Sequence, residues 1–286
     1  MSLKASEMPL QNDGSVYHLN LLPHELAHKI ILVGDPARVA LVSSFFDEIE
    51  VKKQNREIIT HTGVYQSKRI SVLSTGMGTD NIDIVINELD ALVNIDLEKR
   101  KTKENFTSLE IVRIGTCGAL QADIAVDSYI ASHYGLGLDG LLHYYQHQGI
   151  SDEALVDTFV ALCDWKEKYP RPYAVACSDE LLNRIAFDIK KGITLTASGF
   201  YAPQCRVLRL ALSQGDFIEK LINKQYKNTY FTNMEMETSA IYALSNLLGH
   251  KALTICVAIA NRPAKTFSDN YQPAMKRLIK TVLDRI

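Results

Sequence analysis

Residues 231–262, FTNMEMETSAIYALSNLLGHKALTICVAIANR, constrain the fold more than any other stretch. From Met236 the apolar positions fall at Ala240, Ala243, Leu244, Leu247 and Leu248, the three-and-four spacing of a helix with one buried stripe. Gly249 supplies the left-handed exit common at helix C-termini. Ala252 to Ala260 then form an almost unbroken apolar run, which suits a strand buried on both faces of a parallel sheet. The polar residues gather at the two ends, Asn233, Glu235 and Glu237 at the helix start and Asn261 and Arg262 at the strand exit. Ligands of open α/β sheets collect beyond the carboxyl ends of strands, so Arg262 falls where chemistry is expected. Two positions apart on a helix, Glu235 and Glu237 are predicted to point to nearly opposite sides. Taken alone, both carboxylates simply suit a positive helix N-terminus.

The rest of the chain repeats the strand-then-helix pattern. Residues 1–16 read as a loose arm, and His18 precedes the first periodic segment. Lys29–Val33 is a short apolar strand, broken by Gly34-Asp35-Pro36 before a helix over 37–46. A glycine turn feeding a helix N-terminus offers N–H groups to an anion, and Arg38 adds a charge there. No G-K-[ST] follows, so this is not a Walker loop. Residues 48–75 alternate as antiparallel strands would, with Arg56 between the first two. STGMG (74–78) ends the third run and a helix is predicted over 82–93. The third glycine of a dinucleotide fingerprint would fall at Asn81, which excludes a nicotinamide or flavin reading.

Residues 97–108 form a charged, solvated connection. Leu109–Ile114 is a strand expected to end in the turn Gly115-Thr116-Cys117-Gly118, with Arg113 beside it. A strand over 125–132, a loop over 134–148, a helix over 152–166, a strand over 173–176, a helix over 179–189 and a strand over 193–196 complete the alternation. This predicts an α/β fold, a three-layer α/β/α sandwich with a mixed central sheet, in one domain over 1–286. After Thr196 an aromatic, an amide and a guanidinium (Phe200, Gln204, Arg206) leave one strand end together. That set matches a planar heterocycle bearing carbonyls and an imide N–H, and equally a surface loop with a buried Phe.

Composition excludes several classes. Lys plus Arg number 31 against 33 for Asp plus Glu, so nothing suggests nucleic acid or an anionic membrane. Five scattered cysteines without a C-x-x-C pair argue against disulfides and structural zinc. His143 and His147 lie in a turn-prone stretch, and no metal is expected. No stretch approaches the roughly 18–20 apolar residues of a spanning helix, and no apolar leader is visible, so a cytoplasmic protein is expected.

Several stretches together resemble the hexameric-type nucleoside phosphorylases. They are GDPARV (34–39), REIIT (56–60), STGMG (74–78), RIGTCGALQ (113–121), FYAPQCR (200–206), MEMETSA (234–240) and ANR (260–262). The Gln204-x-Arg206 pair, with Asn261-Arg262 where purine enzymes carry an acid, resembles the family's pyrimidine branch. The resemblance implies reversible phosphorolysis of uridine to uracil and ribose 1-phosphate, with 2′-deoxyuridine left open. It implies that Gly34, Arg38, Arg113 and Thr116 hold phosphate, with Arg56 donated by a neighbouring subunit. Glu237 would grip the ribose hydroxyls, with Met236 against the sugar and Glu235 nearby. His18, also from the neighbour, would reach the 5′-hydroxyl. Phe200, Gln204 and Arg206 would hold uracil, with Arg262 behind Arg206. Catalysis would fall to Arg206, Gln204, Glu237 and Arg113.

A homo-oligomer is implied, at least a dimer and up to a hexamer. No organic cofactor is expected: phosphate is a co-substrate, and a monovalent cation near Glu57 is conceivable by resemblance. The chain departs from its relatives at Thr79-Asp80-Asn81, at Cys117 and in the insertion 98–108. Competing readings are a purine nucleoside phosphorylase using Asp269 as its acid, a nucleoside hydrolase, and a silent nucleoside-binding protein, which an acid at Asp80 would favour.

Overall fold

The apolar run after Gly249 forms the strand Lys251–Asn261, whose residues 252–258 are 4% exposed or less, as a strand covered on both faces requires. The computed structural model describes residues 3–286. In chain order the first half comprises β1 (Lys29–Val33), α1 (Pro36–Ser43), β2 (Glu48–Asn55), β3 (Ile58–Tyr65), β4 (Lys68–Ser74) and α2 (Thr79–Asn94). A small hairpin follows, β5 (Ile95–Asp96) and β6 (Lys101–Thr102), then β7 (Glu110–Ala119) and β8 (Tyr129–Gly137). Next come α3 (Glu153–Cys163), β9 (Tyr173–Ala176), α4 (Asp179–Ile185), β10 (Lys190–Thr196) and β11 (Gln225–Tyr226). The chain closes with β12 (Thr229–Glu235), α5 (Thr238–Leu247), β13 (Lys251–Asn261), β14 (Thr266–Phe267) and α6 (Gln272–Arg285).

The sheet is mixed, ordered β11-β12-β10-β8-β13-β7-β1-β4-β3-β2, with β9 on β8 and β14 on β13. Strands β4, β1, β7 and β13 are parallel neighbours. Strand β12 pairs parallel with β10 and also antiparallel with β7, Met234 opposite Gly118. The strands β7, β13, β8, β10 and β12 therefore close on themselves. Helix α2 packs on α5 and α4 on α6, so helices flank the central strands. Among the described residues, no helix is long and apolar enough to cross a membrane.

Helix α5 is buried all round from Thr238 to Ser245, rather than along one stripe. Its small residues allow this close seating. A Cβ on Gly135 of β8 would lie 2.9 Å from Ser239 Cα, so only glycine admits the helix backbone there. Gly135→Ala is expected to push the start of α5 off the sheet and cost about 1–3 kcal/mol, the range for overpacking, measured as a lower urea midpoint. An unchanged midpoint would mean that the contact is slack.

The structure corrects several expectations. Glu235 and Glu237 do not share a helix: Glu235 ends β12 and Glu237 is the N-cap of α5. The sequence reading merged that strand into the helix start. Gly115 and Gly118 lie inside β7, not in a turn. Glycine is needed at 115 because the Arg113 guanidinium folds back over it, 2.2 Å from where a Cβ would stand; at Gly118 a Cβ would meet Arg206 and Arg262 only at ordinary contact distance. Strand β8 begins at Tyr129 and runs to Gly137, through residues read as loop. Its glycines mark close approaches, of Ser239 to Gly135 and of Tyr173 to Gly137. The expected loose arm is held at several points over residues 3–16, although residues 4–7 are exposed. Leu10 bridges to Val16, which is 1% exposed, and Arg100 Nη1 donates to Met8 O at 2.6 Å.

Candidate active site

A cleft of about 710 Å³ opens where β1, β4, β10, β12 and β13 end and β7 passes beneath. Two glycine turns form one wall. Gly34 follows β1 and Gly76 follows β4, and a Cβ on Gly34 would sit 3.4 Å from Gly76 O. Val33 lies opposite both Ser74 and Ile114, so parallel pairing brings the turns together and aligns them with β7. Asp35 caps α1 by accepting from Ala37 N at 2.9 Å, and Pro36 opens the helix. That cap sets Arg38 in the first turn, 9% exposed, with Nη1 donating to Ile114 O at 3.3 Å. Burial lowers the basicity of Arg38, and contact with Tyr271 and Asp35 works against that fall.

At the floor Arg113 meets two carboxylates. Its Nη1 lies 3.1 Å from Glu235 Oε2, and its Nη2 bonds Glu237 Oε2. All three side chains are nearly inaccessible to solvent. Burial opposes the Arg113 charge, but Glu237 and then Glu235 override it, and the guanidinium is held more basic than usual. The trio carries one carboxylate too many. Burial accordingly raises the Glu237 carboxyl, with Arg113 opposing and Glu235 adding to the rise. Glu237 Oε1 also accepts from Gly78 N at 2.7 Å, which joins this floor to the start of α2.

The far end is built from the loop after β10. Gln204, 3% exposed, sits in a single 3-10 turn, Ala202–Gln204. Its Oε1 accepts from Arg206 Nη1 at 2.7 Å, leaving its NH₂ toward the cleft. The Arg206 guanidinium lies 3.9 Å over the Phe200 ring, so one face of the ring expected to stack on a base is already covered. Burial, and then Arg262, lower the basicity of Arg206. Arg262 does not line the cleft. It holds the loop from behind, donating to Gln204 O at 2.8 Å and to Cys205 O at 3.3 Å.

The cleft therefore brings together Gly34, Arg38, Arg113, Thr116, Phe200, Gln204, Arg206, Glu235, Met236 and Glu237. His18 and Arg56 stand outside it. His18 Nδ1 contacts Glu88 Oε1 at 2.6 Å, and Arg56 is exposed at the β2–β3 turn with φ +52°. The two are near each other, because Asn55 Nδ2 donates to His18 O at 3.1 Å. Asn81, Met77 and Phe267 line the cleft although no site role is expected of them from the sequence, and Glu57, named only for a conceivable cation, lines it as well. A weak signal existed for Asn81, which follows the glycine turn where relatives differ. Asp80 beside it is exposed and outside the lining. Burial, and then Cys256, push the Cys117 thiol well above its usual range, so it is no nucleophile.

This geometry agrees with what comparison finds. The phosphorylase superfamily profile matches residues 28–286, and the chain belongs to that superfamily. A uridine phosphorylase of Thermococcus kodakarensis is 29% identical over 263 residues, 92% of this chain and 83% of that protein. A DeoD-type purine nucleoside phosphorylase of Geobacillus stearothermophilus is 28% identical over 270 residues, 93% of this chain and 97% of that one. Among solved structures, a Trypanosoma brucei nucleoside phosphorylase with uridine phosphorylase activity superposes with a TM-score of 0.88. It is 30% identical and covers 97% of this chain and 98% of its own.

Proposed function

We propose that the protein is a pentosyltransferase that cleaves uridine reversibly with phosphate to give uracil and ribose 1-phosphate. The observation that carries this reading is the make-up of one cleft: Arg38 and Arg113, with Glu237 bonded to Arg113, line it together with Gln204 and with Arg206, which stands beside Gly118, five residues further along β7 than Arg113. Phosphate sits against Arg38, Arg113, Thr116 and the Gly34 turn, where guanidinia and N–H groups neutralise it. Glu237 accepts from the ribose hydroxyls and Met236 lies against the sugar. A phosphate oxygen attacks C1′ as the C1′–N1 bond breaks, through an oxocarbenium-like sugar. The bond electrons leave with uracil, whose carbonyl oxygens take up charge beside the Gln204 NH₂ and Arg206. Those contacts strengthen as the charge develops.

The purine reading has specific relatives behind it, but the strand end lacks the acid that it needs. Asn261 stands there, with Nδ2 donating to Gln121 O at 2.9 Å and to Ile124 O at 2.6 Å. Asp269 is exposed and does not line the cleft. Ultraviolet absorbance tests the assignment directly. Uracil release from uridine is expected only with phosphate present, and faster than any turnover of inosine. Release without phosphate would make the protein a hydrolase, and faster inosine cleavage would move it to the purine branch.

The reading extends to assembly. His18 and Arg56 lie together outside their own cleft, as residues lent to a second copy would. Leu208 and Leu210, just after Arg206, are 73% and 82% exposed and give such a copy an apolar contact. A homodimer is the smallest assembly that completes the site. The free thiols at all five cysteines suit the reducing cytoplasm.

A further inference from the structure

Glu235 and Glu237 face the same guanidinium but differ in what holds them. Glu235 Oε1 accepts from Thr196 Oγ1 at 2.7 Å and from Thr238 N at 3.2 Å. Its Oε2 accepts from Glu237 N at 2.9 Å and Thr238 N at 3.0 Å, and meets Arg113 Nη1 at 3.1 Å. These donors fill the roughly four lone-pair sites of a carboxylate, and none is left for a ribose hydroxyl. The side chain is 2% exposed. Thr196 Oγ1 accepts in turn from Ser239 N at 2.9 Å, so the N–H groups of Glu237, Thr238 and Ser239 end on this pair. Among the described residues, the Glu237 carboxylate has only Gly78 N and Arg113 Nη2, partners that substrate hydroxyls can replace.

We propose that Glu235 is a positioning residue, the permanent counter-charge of Arg113, whose hold on Nη1 lets Glu237 exchange Nη2 for the ribose hydroxyls. This rests on the nucleoside phosphorylase reading of the cleft. A buried guanidinium needs a carboxylate partner. With one carboxylate present, Glu237 would be locked to Arg113 and unavailable to the sugar. With two, one is free to turn. The second carboxylate has a consequence at the other substrate: its negative charge beside Arg113 weakens the attraction for phosphate. Removing that charge alone should tighten phosphate and loosen nucleoside, because Nη1 is freed for the anion while Glu237 stays on Nη2. A carboxylate that merely anchored α5 would weaken both when lost.

The test is Glu235→Gln in the full chain, which keeps an acceptor for the α5 amides and removes the charge. Phosphate affinity is read by titration calorimetry without nucleoside, and the uridine KM at saturating phosphate. Phosphate binding is expected to tighten about 3- to 10-fold and the uridine KM to rise about tenfold. Thr196→Val, which loosens the α5 anchor but leaves the charge, is expected to keep the ratio of the two constants within about twofold. Glu235→Asp retains the charge and covers the case in which the glutamine variant does not fold. Its phosphate affinity is expected to match wild type within about twofold. Both constants worsening together, with a lower melting temperature, would reduce Glu235 to a structural anchor. A uridine penalty that vanishes with 2′-deoxyuridine would make it a direct ribose ligand. If the wild-type chain does not cleave uridine, the functional reading fails, while the phosphate titration still decides the charge effect on Arg113.

Discussion

Arg113→Ala is expected to cost about 3–5 kcal/mol of folding stability and to lower kcat/KM for uridine at least about 10³-fold. The stability loss follows from what stays behind. Glu235 and Glu237 are almost fully buried, and Arg113 is the cation between them. Without it two carboxylates face each other in a site closed to water. At about 2–4 °C per kcal/mol the melting temperature should fall by roughly 6–20 °C. The loss should depend on pH, and the sign follows from Glu237. Its carboxyl is already raised by burial, and removing Arg113 takes away the group that opposes the rise. A carboxyl raised in the folded state keeps its full contribution below its unfolded value, about 4.3, and loses it as pH climbs through the folded value. The gap between variant and wild type should therefore narrow from pH 7 toward pH 5. Arg113→Met with Glu237→Gln should recover part of the melting temperature, since Glu235 still lacks its cation, and none of the activity. Wild-type stability in Arg113→Ala, flat across that range, would show that the carboxylates are not held as charges.

The Arg113 trio also marks where sequence reasoning runs out. Strands whose ends are set locally were legible: 29–33, bounded by Gly34 and Pro36, and 173–176 match their predicted limits. Arg38, in the first turn of α1, and Gln204, in the loop after β10, could be singled out from such local breaks, and both line the cleft. What failed was anything decided by tertiary approach. Gly115 and Gly118 look like a turn, but both are strand residues, and Gly115 must be small because the Arg113 guanidinium lies over it. Glu235 and Glu237 look like one helix start, because the same polar spacing fits the junction of a strand with an N-cap. That difference reverses their geometry: instead of diverging, the two carboxylates converge on Arg113. The cleft contacts of Asn81 and Phe267 arise because α2 and the β14 segment border the same opening, which no local pattern encodes.

Arg206→Ala is expected to lower kcat for uridine about 10²–10³-fold while leaving phosphate affinity within about twofold of wild type. The split follows from position. Arg206 stands at the end of the cleft away from Arg38 and Arg113, and its own bonds are to Phe200 O and Gln204 Oε1, each at 2.7 Å. Its removal should not collapse the loop, since Arg262 still holds Gln204 O and Cys205 O. Lysine should not rescue, because the planar fork that reaches both the amide oxygen and a base carbonyl is lost. The leaving group decides whether Arg206 acts on developing charge or only on binding. In 5-fluorouridine the departing base carries negative charge more easily, so less help is needed from the protein. If Arg206 stabilises that charge, the deficit of Arg206→Ala must be smaller with 5-fluorouridine than with uridine. An equal deficit in kcat/KM with kcat unchanged would confine Arg206 to holding the base, and the negative charge would then be borne by Gln204 alone.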